Sequence, residues 1–470
     1  MYSLHDVEVV GLDLGKILEC EIESQIGEHS TLSLHVLIDD EEFLYGIPDC
    51  REIEVILQGG STAESLFSGI VTAVSMNEDG QVKTAWIEGK SRSWLLDREK
   101  HSRSFQDGSM GYRALVKEVL KGYKGQYDEG SLRYVPTDRE IGVPLVQYEE
   151  TDWAFLKRVL SREGITITPD SRGEGKGIFA GAPCVESGKV PFRIVEAEKD
   201  MGSYYALKAC GRSVHAAEFT KYKIASEHLL GIFSEVEIEG HPYSVYSYRY
   251  SFVGHEMEGL YSLQSPEGLT VVPSYPMQLI GAAMAGKITA VSGTKVRAAL
   301  KIDGGHTERA VHWFPYSTLS ASPDGSGWYC MPEIGDSVMI YFPSKHEEEA
   351  VALSAVSNYM APKGGRDRMA DPNSRYLRNR FGQELMLCPE YARLSCGGET
   401  SQVTVLDSGR IDIVARDKVT VEAQETIYLH AEEDVSFRMA NKFEADSTDG
   451  GQLICYEDKV YMNGTKVRQD

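Results

Sequence analysis

The sequence lacks most of the features that announce a function. None of its 470 residues fall in an apolar run approaching the length of a membrane-spanning helix, and Met1-Tyr2-Ser3-Leu4-His5-Asp6 has no basic region leading into an apolar core. Cytoplasmic synthesis without a signal peptide is the expectation. The eight cysteines (Cys20, Cys50, Cys184, Cys210, Cys330, Cys388, Cys396 and Cys455) form no CxxC or CxxH pair. Isolated thiols fit a reducing compartment better than a disulfide framework or a zinc site. Positive charge is also scarce: 48 Lys and Arg face 71 Asp and Glu, for a net charge of -23. Such a surface repels phosphate backbones, so nucleic acid is not an expected partner.

Catalytic signatures are missing too. His346-Glu347-Glu348-Glu349-Ala350 and His255-Glu256-Met257-Glu258-Gly259 begin like HExxH but have no second histidine. There is no GxSxG elbow, and Gly173-Glu174-Gly175-Lys176-Gly177 lacks phosphate-loop spacing. Carboxylates are so plentiful that a pair of them signals no glycosidase. No catalytic residue, cofactor or metal ligand is therefore expected, and His430 reads as an outward shaft residue rather than a ligand.

What the chain does contain is glycine, 45 residues of it, and recurrent polar/apolar alternation at 42% apolar and 25% charged content. That combination predicts a mainly β protein, and the length predicts three or four domains. The most specific pattern is C-terminal. Val403, Ile411, Val419, Ile427 and Val435 stand eight residues apart, each followed two places later by Val405, Ile413, Val421, Leu429 or Phe437. Arg416-Asp417-Lys418, Gln424-Glu425-Thr426 and Glu432-Glu433-Asp434 separate the later units. Each octad reads as a short strand with one apolar face and a polar turn. So short a strand cannot bury its stripe alone. Three chains wound about one axis would bury it and would remove the open sheet edges. The expectation is a trimeric intertwined β-prism with those ten apolar residues as its core. Asp412, Thr420, Glu422, Tyr428, His430, Ser436 and Arg438 would face outward. Past Gly450-Gly451, Ile454, Val460 and Met462 alternate out of register, so the tip should change shape.

Upstream, residues 281–358 read as short strands near 285–291, 295–302, 310–315, 328–330, 337–342 and 350–357. Pro332 and Gly335 set a turn, and Trp328, Val338, Ile340 and Phe342 supply core, which fits a small OB-type barrel. Segment 146–165 reads as a capped amphipathic helix. Thr151 or Asp152 caps it, Trp153, Leu156, Val159 and Leu160 form its buried stripe, and Gly164 stops it.

The segment GSGWYCMPEIGDSVMIYF (325–342), leading into octads, resembles the VgrG-type spikes of type VI secretion and the hub and spike proteins of contractile phage tails. Segment 146–165 resembles the hub of the same family. The chain departs from the family's Gly-Asp-Pro-rich pattern at Pro343-Ser344-Lys345-His346-Glu347-Glu348-Glu349. The resemblance implies two hub barrels, whose three copies form a pseudo-sixfold ring matching a hexameric tube, then a collar and a needle. The corresponding domains are 1–95 (first hub barrel), 96–194 (helical or mixed insert), 195–275 (second hub barrel), 276–358 (OB-like), 359–395 (linker) and 396–470 (needle and tip).

The resemblance also implies a function: the structural hub and cell-puncturing spike of a contractile injection system, phage-like or type VI-like. Its expected partners are two further copies of the chain, tail tube and baseplate proteins, a PAAR-like tip or effector at the C-terminal end, and the target envelope. Its expected location is an assembled injection particle. The competing readings are a trimeric polysaccharide-degrading tailspike and a trimeric receptor-binding fibre. The hub-like segment 146–165 argues against both.

Overall fold

The computed structural model describes residues 2–39, 45–58, 63–80, 82–128, 130–136, 139–187, 189–253, 256–320, 322, 329–354, 363, 367, 369–448 and 450–466. Contacts divide the chain into two units, Met1–Asn358 and Tyr359–Asp470.

Alternation near the N-terminus becomes six strands: β1 (Val7–Val10), β2 (Ile17–Gln25), β3 (Thr31–Leu37), β4 (Glu52–Leu57), β5 (Glu64–Asp79) and β6 (Val82–Ser91). In β2 the residues Cys20, Ile22 and Ser24 are buried while Glu19, Glu21 and Glu23 alternate with them, as a strand with one wet face requires. The middle of the first unit holds β7 (Lys100–Phe105), β8 (Leu132–Tyr134), β9 (Leu145–Thr151), β10 (Ile167–Asp170) and β11 (Gly177–Ala180). With them come the helices Tyr112–Leu120 and Asp152–Ser161. A second β-rich stretch follows: β12 (Arg193–Lys199), β13 (Thr220–Ser226), β14 (Glu235–Ile238), β15 (His241–Val253) and β16 (Glu256–Gln264).

The two β-rich stretches share one sheet. Its order is β1-β4-β5-β6-β3-β2-β15-β16-β13-β12, with β14 on β15. The join is β2 against β15, where Ile22 lies opposite Tyr250 and Cys20 opposite Phe252. One hydrophobic core therefore serves both expected hub segments, from Leu32 and Phe67 to Tyr250 and Leu263. The buried hydroxyls in that core are satisfied: Tyr250 Oη donates to Leu230 O at 2.7 Å and Tyr261 Oη to His228 O at 2.5 Å.

Residues 283–354 form the five-stranded antiparallel barrel expected of an OB-type module. Its strands are β17 (Ala283–Ser292), β18 (Lys295–Leu300), β19 (Phe314–Pro315), β20 (Ser337–Tyr341) and β21 (Val351–Ser354), ordered β19-β18-β17-β20-β21. A bridge between Tyr316 and Ala352 closes the ends of that path, with Ser317 N donating to Ala352 O at 2.8 Å. Val338, Ile340 and Phe342 lie in its core beside Ile288, Val296 and Phe314. Trp328 and the expected strand beginning there lie outside the described residues, apart from Tyr329 and Cys330, which are not in a strand.

The second unit corrects the expected linker. Segment 359–395 is not a plain connector, because strands begin at Arg375. β22 (Arg375–Arg378), β23 (Glu384–Cys388), β24 (Tyr391–Cys396), β25 (Ser401–Leu406) and β26 (Ile411–Ala415) make an antiparallel meander within one chain. The tip also changes earlier than Gly450: β27 (Lys442–Asp446), β28 (Gln452–Tyr456) and β29 (Lys459–Asn463) form a second small meander. Between the two, residues 416–441 join no ladder among the described residues.

Candidate functional site: a buried latch and an unpartnered apolar ladder

The helix Asp152–Ser161 is held at both ends by its own sequence. Thr151 Oγ1 accepts from Ala154 N at 3.2 Å, capping the start. At the far end Gly164 takes a φ of 78°, with Gly164 N donating to Ser161 O and Ile165 N to Leu160 O, the paired closure that favours glycine. Trp153, Leu156, Val159 and Leu160 are buried together against Phe105, Leu115 and Leu145. Asp152, in the first turn, is buried and heavily paired. It accepts from Arg103 at 2.5 Å, Gln147 at 2.8 Å and Tyr123 at 2.9 Å. Burial, and then the adjacent Asp152 carboxylate, push the Tyr123 hydroxyl well above its usual range, so it stays a donor.

The solvent-shy side of this helix faces the OB barrel. Arg158 is 4% exposed and Glu347, from the segment that departs from the family pattern, is 1% exposed. Arg158 Nη1 donates to Glu347 Oε1 at 3.1 Å, its Nη2 to Val146 O at 3.0 Å, and its Nε to Glu150 Oε1 at 3.0 Å. Arg162 holds the other oxygen of Glu347. A second buried carboxylate repeats the theme, for Asp303 accepts from both Ser104 N and Ser104 Oγ at 2.6 Å. Val146 of β9 contributes to the barrel core itself. The hub insert and the collar are thus latched by two carboxylates from the collar, Glu347 held by Arg158 and Arg162 of the hub and Asp303 by Ser104 of the hub and Arg309 of its own barrel. Buried charges persist only with this degree of pairing.

The sequence shows Glu347 only within an incomplete HExxH and within the departure from the family pattern, and neither reading finds the latch carboxylates. Nothing local marks Glu347, whose partner Arg158 lies 189 positions away. Among the described residues, no group of three or more His, Cys, Asp or Glu side chains could hold a metal ion, and no helix is long and apolar enough to cross a membrane.

The shaft presents a different kind of site. Cross-strand register aligns Leu377, Leu385, Leu394, Val403 and Ile413 in one row, and Leu387, Ala392, Val405 and Ile411 in the next. Directly opposed residues share a face, so one face of the meander is mainly apolar, with Arg375 opposite Leu387 and Ser401 opposite Cys396 and Ala415 at its margins. It is also bare. The exposures of Val403, Val405, Ile411, Ile413, Val419, Val421, Ile427, Leu429, Val435 and Phe437 run from 41% to 69% in the single chain, and Leu377, Leu385, Leu387 and Leu394 are equally uncovered. After Ala415 the chain bends at 416–417, 424–425 and 432–433, eight residues apart and inside the polar triplets. Among the described residues, no main-chain hydrogen bond involves 416–441. Leu377, Leu385, Leu387 and Leu394 went unrecognised in the sequence because the steps from 385 to 394 and from 394 to 403 are nine residues, which breaks the octad count.

A latched hub and collar, followed by a shaft with an apolar ladder, define the class of hub-and-spike proteins. The family model of the phage tail baseplate hub (GPD) matches residues 47–200. That of the type VI secretion system/phage-baseplate injector OB domain matches residues 284–356. The fold resembles that of the E. coli c3393 protein, described as a component of the type VI secretion system with structural similarity to the T4 bacteriophage tail proteins gp27 and gp5. The TM-score is 0.54 at 14% identity, over 74% of this chain and 99% of that one. It also resembles a chain of the Francisella PdpA-VgrG complex, half-lidded, at TM-score 0.52 and 10% identity, over 86% of this chain and 84% of that one. No curated protein matches the sequence. Residues 47–200 thus match a phage tail baseplate hub domain and residues 284–356 an injector OB domain, in the order that fits a structural hub and spike of a contractile injection system.

Proposed function

We propose that the chain works as a homotrimer whose hub seats on a hexameric tail tube and baseplate, and whose shaft is driven through a target envelope. The observation that carries this reading is the ladder of 403–437, apolar and bare in one chain, over backbone that at 416–441 finds no partner among the described residues. Apolar area of this extent, joined to unsatisfied main-chain groups, calls for further strands of the same register. Three copies placing their rows on one axis supply both. The role is mechanical rather than catalytic: the sheath supplies work, and this protein supplies stiffness and symmetry matching. Assembly into an injection particle and a separate protein on the C-terminal tip complete the reading.

Native mass spectrometry of the purified chain is the direct test. A trimer that resists dilution is expected, and a stable monomer overturns the proposal. Particles lacking this protein should carry tubes that form but fail to penetrate.

A further inference from the structure

We propose that the meander Arg375–Ala415 is the nucleus and register-setter of shaft assembly, and that residues 416–441 fold only on the trimer it creates. The inference rests on the trimeric reading above. Its first support is that the meander makes its own ladder. Four successive hairpins pair within the chain, the tightest through the two residues between Cys388 and Tyr391. Contacts this local form early, before any second chain is met.

Its second support is that one face of the meander is already covered. Glu384 is buried between Arg378 at 3.5 Å and Arg393 at 4.0 Å, and Arg393 also reaches Glu399 at 2.8 Å. The Arg393 guanidinium lies 5.3 Å from the Tyr391 ring centre. Apart from Val414 at its margin, the covered face is closed, whereas the apolar face, with Leu377, Leu385, Leu387 and Leu394, is left open, and its row runs straight into Val403 and the octads. Continuity with that row identifies the occupant as two further copies of the same face.

The third support concerns register. Val403, Ile411, Val419, Ile427 and Val435 repeat so evenly that chains slipped by eight residues still match apolar to apolar. Periodic strands specify register weakly. The meander breaks the period with its nine-residue steps, so three copies meet on its apolar face in one way only. Residues 416–441 cannot lead, because burying their stripe before partners arrive would strand their main-chain N–H and C=O groups.

The test is refolding of the full chain from denaturant, followed by pulsed hydrogen exchange and native mass spectrometry. Amides of 375–415 should gain protection first, at a rate independent of protein concentration. Those of 416–441 should follow with a rate that rises with concentration. Protection arising first at 416–441, or at the tip strands 442–463, overturns the proposal while leaving a trimer intact; a wild-type monomer instead overturns the reading beneath it. Two variants sharpen the comparison. Leu385→Ala with Leu394→Ala should slow trimer formation about tenfold or more, as substitutions in a nucleus do. Val460→Ala with Met462→Ala, in the tip, should change it less than about twofold and speed dissociation instead. The reverse ranking places the nucleus at the tip and refutes the assignment to the meander.

Discussion

Arg158 and Glu347 meet at 3.1 Å with 4% and 1% of their side chains exposed, joining a hub helix to the far side of an OB barrel. Glu150 and Arg162 complete the arrangement, so each charge is answered on two sides.

Removing one member should hurt more than removing both. Glu347→Leu alone leaves Arg158 and Arg162 facing an apolar hole, a loss of about 3–5 kcal/mol for a buried pair broken on one side. Adding Arg158→Leu should recover part of that loss, because the central pair is then apolar on both sides while Glu150 and Arg162 each still lose a partner. Thermal melting of the two variants checks the sign of the coupling. A double variant less stable than the single one would contradict it.

Asp303 takes its two short hydrogen bonds from the neutral Ser104, with the Arg309 guanidinium farther off at 3.6 Å. Asp303→Ala strands Ser104 N and Ser104 Oγ, both buried, for about 1–3 kcal/mol. Asp303→Asn keeps an acceptor and should lose less. Limited proteolysis at the hub–collar junction distinguishes the two variants.

His29 predicts an acid-sensitive hub. Its Nδ1 lies 2.7 Å from Ser93 Oγ and its ring 4.5 Å from Trp153, with Nε2 3.5 Å from Asp97. Burial lowers its pKa below the usual imidazole value; Asp97 opposes this, and Lys90 adds to it. With the folded pKa below the unfolded one, the unfolded chain binds the proton more readily, so stability rises with pH through that window. The contribution is complete above about pH 6.5 and is lost as the pH falls towards the folded value. His29→Asn should therefore lose less melting temperature than wild type between pH 7.5 and pH 5, the difference isolating this group from other titrations.

The shaft predicts a separation of stability from assembly. Ile427 is 51% exposed in the single chain and Tyr428 is 81% exposed. Ile427→Asp should leave the melting of the hub and collar unchanged yet convert the trimer to a weaker one with 416–441 unprotected from exchange. Tyr428→Asp, on the outward parity, should do neither. Equal effects at the two positions would remove the basis for an inward row.

Local chemistry made much of this protein readable. The capped helix at 152–161 follows from Thr151, Gly164 and a 3.6-residue stripe, all within one short segment. The octads of 403–437 follow from a period that can be counted, and the barrel of 283–354 from alternation broken by Pro332 and Gly335. The sequence by itself therefore determined the capped helix, the barrel and the spacing of the octads, although the strands expected at 419–421, 427–429 and 435–437 do not form in the single chain. Only the tertiary structure decided how distant pieces meet. It placed Tyr250 opposite Ile22 so that two hub segments share one sheet, and it turned Glu347 inward onto Arg158. It also lined up Leu385 and Leu394 with Val403, which carries the apolar row back into the supposed linker. The physical reason is common to all three. Periodicity is a property of neighbours along the chain, whereas strand register and charge pairing are settled between residues far apart, where an exposed-looking Glu or a miscounted Leu gives no local sign of its partner.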